Sequence, residues 1–282
     1  MNEEKHLKNI TSKHDIQKLE NIHMIFLEKI EANKIEDIYN RVLETIKGMS
    51  IPSENKTLEN TLLNLVDLLI ETVSSQDELL LIFTGKTFDE DYIFAHSLNV
   101  CLISIRIGLR LGFSKDRIKV LGFLAIIHAC KDMGLPENLR EGFTQEAEMT
   151  EIIRLADVYD AMTHPPSYRK SIVPYETLTS IMHTHTFFNP ELTKVLLKEI
   201  SLYPRGSWVK LSTEEIGKVI KVNKGQTMQP TVAIFIDPKG YHLKEKKIVD
   251  LSQNNFIYIK QPLSEEEIMQ MQNNDIIASS YQ

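Results

Sequence analysis

The residues of this chain best suited to chemistry lie in Ala125-Ile126-Ile127-His128-Ala129-Cys130-Lys131-Asp132-Met133-Gly134-Leu135-Pro136. The apolar run Val120 to Ile127 delivers His128 into what should be a buried site. A neutral imidazole suits Fe, Mn or Zn, and a metal-binding histidine–aspartate pair would need a carboxylate at the next position. That position is Ala129, whose methyl supplies no donor. Asp132 is four residues beyond His128, and on a continuous helix the two would face the same side. A second acidic stretch follows, Arg154-Leu155-Ala156-Asp157-Val158-Tyr159-Asp160-Ala161-Met162-Thr163. Asp157 could equally pair with Arg154, three residues earlier, and Asp160 reads as a packing or surface carboxylate. Arg169 and Lys170 are candidate phosphate contacts, since guanidinium suits bidentate oxyanion binding. His183 and His185 alternate in Met182-His183-Thr184-His185 but read as solvated loop histidines.

The elements that must position these groups are helical. Leu19, Ile22, Phe26 and Ile30 recur at helical spacing, as do Ile38, Val42 and Ile46, and Leu58 to Val73 continues the rhythm. Phe94, Leu98, Cys101, Leu102, Ile105 and Leu109 share one face of the next helix, while His96, Asn99 and Arg106 fall on another. Gly112 closes that helix and Ser114 is an N-cap for its successor. Ile118 to Ile127 is apolar all round, the pattern of a central buried helix that Gly134 and Pro136 stop. Glu151–Thr163, Tyr175–His183 and Pro190–Ser201 read as three further helices.

After Tyr203-Pro204-Arg205-Gly206 the character changes to β. Trp208–Leu211, Ile216–Val222, Thr231–Ile236 and Asn255–Ile259 read as strands, and Ser264-Glu265-Glu266-Glu267 as a capped terminal helix. The fold class is therefore mainly α, with a helical N-terminal region over 1–88, a helical core over 89–205 and a small antiparallel β tail over 206–282 packed on that core.

At 282 residues the chain can bury a substantial core. Its net charge of −7 gives no reason to expect nucleic-acid or anionic-membrane binding. Two cysteines, Cys101 and Cys130, make no disulfide framework, and no apolar run approaches the ~20 residues of a membrane span. A cytoplasmic setting is expected.

In order along the chain, several segments resemble the HD-GYP family of metal-dependent cyclic di-GMP phosphodiesterases. They are Asp91–Val100 around His96, the His128 segment, Ala156-Asp157-Val158-Tyr159-Asp160-Ala161, and Ser167-Tyr168-Arg169. Phe188-Asn189-Pro190-Glu191-Leu192, Leu202–Ser207 and Leu211–Gly217 follow. The resemblance implies a helical HD-type core in which His96, His128 and Asp157 are metal ligands. It also marks this chain as degenerate. Ala129 replaces the aspartate that bridges two metals in the family, and Asp132 stands where the family usually has lysine. Only 17 residues separate Pro136 from Arg154, none of them histidine. The family carries three more histidine ligands and its Gly-Tyr-Pro segment there.

What remains implies a bacterial signalling protein, inactive or strongly impaired in hydrolysis, that works through a partner protein and could self-associate. No cofactor is expected beyond residual Fe, Mn or Zn, and no tight cyclic di-GMP binding. The rival expectation is a rearranged mononuclear phosphohydrolase site built from His96, His128, Asp132 and Asp157. His128 hydrogen-bonded to Asp157 as a relic of the core is a third.

Overall fold

The computed structural model describes residues 36–48, 55–75, 91–129, 146–166, 168–183, 188–223, 226 and 228–271. Its helices are α1 (36–48), α2 (Asn55–Ser75), α3 (Tyr92–Arg110), α4 (Lys115–Ile126), α5 (Ala147–Thr163), α6 (Pro174–His183) and α7 (Pro190–Glu199). Five strands follow, β1 (Trp208–Leu211), β2 (Ile216–Lys221), β3 (Thr231–Ile236), β4 (His242–Asp250) and β5 (Ile259–Leu263), and then a last helix, α8 (265–271). The molecule is mainly α with a small antiparallel sheet at its C-terminal end. The expected helix around Leu19 to Ile30 lies outside the described residues.

Helix α3 is the axis of the core. Leu98, Val100, Cys101, Leu102, Ile103, Ile105 and Ile107 are buried on nearly all its sides because α2, α4, α5 and α7 pack around it. It is apolar and long enough to cross a membrane by composition, yet most of it is enclosed by these neighbours. Each fully buried Leu or Ile contributes roughly 1.5–3 kcal/mol, so helix packing around α3 dominates the stability.

Two local devices set the α3–α4 corner. Gly112 adopts φ +76°, a left-handed position that costs a glycine little, and Phe113 N–H returns to the Gly108 carbonyl at 3.0 Å. Ser114 then caps α4, its hydroxyl accepting from Arg117 N–H at 3.3 Å. After Ile126 the chain tightens into a 3₁₀ turn, Ile127–Ala129, so His128 does not continue the α-helix. Helix α5 begins at Ala147, four residues before the first position that the sequence pattern marks.

The sheet has the order β4-β3-β2-β1-β5, antiparallel throughout. Gly217 sits at a register shift between β2 and β3, where a Cβ would stand 2.5 Å from the Ala233 carbonyl oxygen. Strand β4 was not anticipated: its run of lysines and a glutamate suits an exposed edge and hides the alternation. Residues 255–258 are not the expected strand. The Asn254 side chain accepts from Phe256 N–H at 3.0 Å, making a turn that leaves Phe256 91% exposed, and β5 starts only at Ile259. Helix α8 opens with a reciprocal capping box, Glu267 N–H to Ser264 Oγ at 3.2 Å and Ser264 N–H to Glu267 Oε2 at 2.7 Å. The Tyr175 ring of α6 stacks on Tyr203 at 5.6 Å, joining the helices to the apolar interior of the sheet.

Gly122 is where α2 comes closest to α4, for a Cβ there would lie 2.7 Å from Val66 Cγ1. Gly122→Leu should overpack this contact and destabilise the protein by about 1–3 kcal/mol. Denaturant unfolding followed by helical circular dichroism checks this; an unchanged midpoint would show that α2 can move away freely.

Candidate metal centre

Three elements bring the site together. His96 comes from the second turn of α3, His128 from the 3₁₀ turn after α4, and Asp157 with Asp160 from one face of α5. The i,i+3 spacing of the two aspartates lets both carboxylates meet the same histidine. His96 Nδ1 lies 2.7 Å from Asp160 Oδ2, and His96 Nε2 lies 3.0 Å from Asp157 Oδ1. Tyr92, one turn earlier on α3, stacks on the His96 ring at 5.6 Å, and His128 meets it edge-on at 5.2 Å.

His128 Nδ1 donates to the Ala125 carbonyl at 2.7 Å, which makes Nε2 the accepting nitrogen, 3.9 Å from Asp157 Oδ1. Both imidazoles therefore anchor Nδ1 and present Nε2 towards Asp157, the arrangement that fixes metal-ligating histidines. The donor atoms of His96, His128 and Asp157 all fall within 4.8 Å of one another. Three donors sharing one ion at ~2.1 Å each need separations up to about 4.2 Å, so a pair near the 4.8 Å bound would draw together slightly on binding. The residues present fit a single divalent cation, with Asp157, its side chain 41% exposed, on the open side.

Behind His96 the site is fully enclosed. Asp160 has no solvent exposure, and its other oxygen, Oδ1, accepts from Asn99 Nδ2 at 3.0 Å and from His164 Nδ1 at 2.9 Å. Asn99 Oδ1 in turn accepts from the Tyr39 hydroxyl of α1 at 2.8 Å. Desolvation by burial works against a charge on His96, but its hydrogen bonds to Asp157 and Asp160 outweigh it and push the ring up to about 9. The same contact from His96 holds the Asp157 carboxyl below its usual range. Burial, and then the Asp160 charge, raise the Tyr92 phenol, while Arg169 acts on it in the opposite direction.

His96, His128 and Asp157 are thus brought together, and Ala129 adjoins them without a donor. Asp132 and His185 lie outside the described residues. Arg169 is exposed, near enough for Tyr92 to feel its charge, whereas the Lys170 ammonium pairs with Glu266 of α8 at 2.6 Å. His183 sits exposed at the end of α6. The Arg154 guanidinium lies over the Phe188 ring at 5.3 Å. Asp160 is neither a surface nor a mere packing carboxylate, for it holds His96 from behind. Nothing in the sequence pointed to Tyr39 or His164.

Two comparisons bear on this architecture. The family described as "KOW domain associated with HD domain" matches residues 208–271, from the first residue of β1 to the end of α8. A curated cyclic di-GMP phosphodiesterase of Pseudomonas aeruginosa is 18% identical over 244 residues, which is 67% of this chain and 59% of the relative. The chain thus spans less than two thirds of the length of that relative. No solved structure matches. The two findings support an HD-domain family.

The raised His96 value has a consequence for stability once chelator has stripped any metal. A histidine held at about 9 in the fold and near 6.5 unfolded stabilises fully below pH 6.5, and the contribution disappears as pH rises through about 9. The thermal midpoint in chelator should therefore fall as pH rises between these limits, and His96→Gln should flatten the profile. A wild-type profile already flat over that window would contradict the His96–carboxylate pairing.

Proposed function

We propose that this protein is a degenerate HD-GYP-type signalling component, cytoplasmic, that retains one divalent metal position on His96, His128 and Asp157. Its hydrolysis of cyclic di-GMP is lost or strongly impaired, and it acts by binding a partner protein. The observation that carries this is the pairing of a preserved three-donor cluster with alanine at 129. The cyclic dinucleotide enters through the resemblance of the motifs and through the phosphodiesterase relative.

The chemistry follows from the donor count. Two imidazoles and one carboxylate suit Fe, Mn or Zn and leave coordination positions open. A second ion would need a bridging carboxylate, and residue 129 has none to offer. The segment between Pro136 and Arg154 contains no histidine to complete a second position. A single bound ion supplies Lewis acidity and an acidified water, but two-metal clamping of attacking and leaving oxygens is lost. Of the two candidate phosphate contacts, Lys170 is engaged by Glu266, which leaves Arg169 as the better one. An open site with few cations binds a charged dinucleotide weakly.

A second reading draws on the same cluster. Open positions beside a 2-His-1-carboxylate set could admit water and a phosphoester oxygen, giving a mononuclear phosphohydrolase. Asp132 would be its fourth ligand. The α-helical spacing that linked Asp132 to His128 does not carry over directly, because α geometry already ends at Ile126.

Protein purified without chelator should contain about one Fe, Mn or Zn per chain by elemental analysis, with His128→Ala emptying it. Cyclic di-GMP turnover should fall far below the ~10 per second of a median enzyme, and Ala129→Asp alone should not restore it. Calorimetry should give a dissociation constant for cyclic di-GMP weaker than roughly 10 µM. Metal-dependent turnover near the median rate, abolished by His128→Ala, would overturn the impaired reading. Turnover of another phosphoester lost in Asp132→Ala would install the second.

A further inference from the structure

We infer that Tyr39 is a positioning residue for the metal site, so that docking of α1 on the core and metal occupancy are reciprocally coupled. This rests on the reading that His96, His128 and Asp157 hold a metal. It adds a residue from the N-terminal helical region, 1–88, in which the sequence marks no site residue.

The geometry is a chain of buried hydrogen bonds from α1 to the ligand. The Tyr39 hydroxyl donates to Asn99 Oδ1 at 2.8 Å, Asn99 Nδ2 donates to Asp160 Oδ1 at 3.0 Å, and Asp160 Oδ2 holds His96 Nδ1 at 2.7 Å. The middle link gives Tyr39 its leverage. An asparagine amide has one accepting and one donating end. The carboxylate can only accept, so the donating end faces Asp160, and the Tyr39 hydroxyl anchors the accepting end from the other side. The opposite flip would set an amide oxygen against Asp160 inside the core. Tyr39 therefore holds Asn99 in the place where its amide steadies the Asp160 carboxylate, which aims His96 Nε2 at the cluster.

A second contact fixes the register of α1. Lys47 Nζ pairs with Asp91 at 3.0 Å, immediately before α3 begins. Tyr39 to Lys47 is eight residues on α1, and Asp91 to Asn99 is eight residues on the α3 strip, or about 12 Å on each. The two helices run antiparallel with polar clamps of matched spacing. A slide of α1 by one residue breaks the match at both ends and withdraws the Tyr39 hydroxyl. Because coupling between two equilibria is mutual, metal that favours the aimed His96 must also favour docked α1.

The test uses the full chain, stripped with chelator and titrated with Mn(II). Tyr39→Phe keeps the ring but removes the donor, and should weaken Mn(II) binding by about 3–10-fold, less than the ~10–100-fold typical of groups that touch the ligands directly. Ile46→Val loosens packing on the same buried face of α1 without touching the chain of hydrogen bonds, and should leave affinity unchanged. Amide exchange over residues 36–48 should slow on Mn(II) addition in the wild type and respond much less in Tyr39→Phe. In an Asp160→Asn background, Tyr39→Phe should add no further loss of affinity. Equal Mn(II) affinity in wild type and Tyr39→Phe, or equal losses in Tyr39→Phe and Ile46→Val, would overturn the inference alone. Failure of the wild type to bind Mn(II) would overturn it together with the metal reading.

Discussion

The arrangement depends first on one buried charge, the carboxylate of Asp160. Removing a carboxylate from water is unfavourable by several kcal/mol even after relaxation, unless donors replace the lost water. Here the donors are His96, Asn99 and His164, drawn from α3 and from the residue capping α5. That requirement fixes the rotation of α3 about its axis, because His96 and Asn99 must both face α5. It also fixes where α5 ends, since His164 must turn back by one helical turn to reach Oδ1. The apolar sides of α3 then fall where α2, α4 and α7 can cover them.

Much of this architecture is legible in the sequence, for identifiable reasons. Helices α3 and α7 carry strong periodicity, and Ser114 marks the start of α4, but the apolar run of α4 does not reveal that its α geometry ends at Ile126, short of Gly134 and Pro136. Strands β1 and β3 read correctly because they are β-branched, apolar and bounded by turn residues. Strand β4 does not, since an edge strand is selected for lysines that resist further pairing, and those lysines erase the alternation. Phe256 and Tyr258 mislead in the opposite sense, being aromatic residues on an exposed turn. At the site, His96, His128 and Asp157 could be named from motif order. Asp160 could not be given its role, because spacing along α5 does not reveal a buried histidine opposite. Tyr39 lies sixty residues from Asn99, and no local pattern records such a contact.

The β tail is tied to the same end of α5. From His164 the chain folds back, with Arg169 N–H on the Pro166 carbonyl and Ile172 N–H on the Met162 carbonyl, each at 2.9 Å. It then enters α6, whose Tyr175 ring stacks on Tyr203 beside the interior of the sheet. The Lys170–Glu266 pair crosses to α8 nearby, although both groups are largely exposed and such a pair contributes little. The aromatic stack is therefore the stronger tie. A change in how α5 terminates reaches the sheet through ten residues of backbone that is itself hydrogen-bonded to α5.

Such a plan makes the fold independent of what stands at position 129. Asp160 is satisfied by protein donors, not by a metal, so the core does not need an occupied site to accommodate the charge. His128 is aimed by the carbonyl of Ala125, three residues earlier in its own turn, and owes nothing to the side chain at 129. Replacing a carboxylate there by a methyl removes a donor from the site but orphans no partner. On the proposed reading the effect of such a replacement would fall on chemistry and spare packing. Asp160 is the opposite case: its removal would leave His96 charged and enclosed with one carboxylate gone, a loss of about 3–5 kcal/mol for a broken buried pair. The residues that aim His96 are thus under a structural constraint that does not depend on an occupied site, and three donors converge beside an alanine.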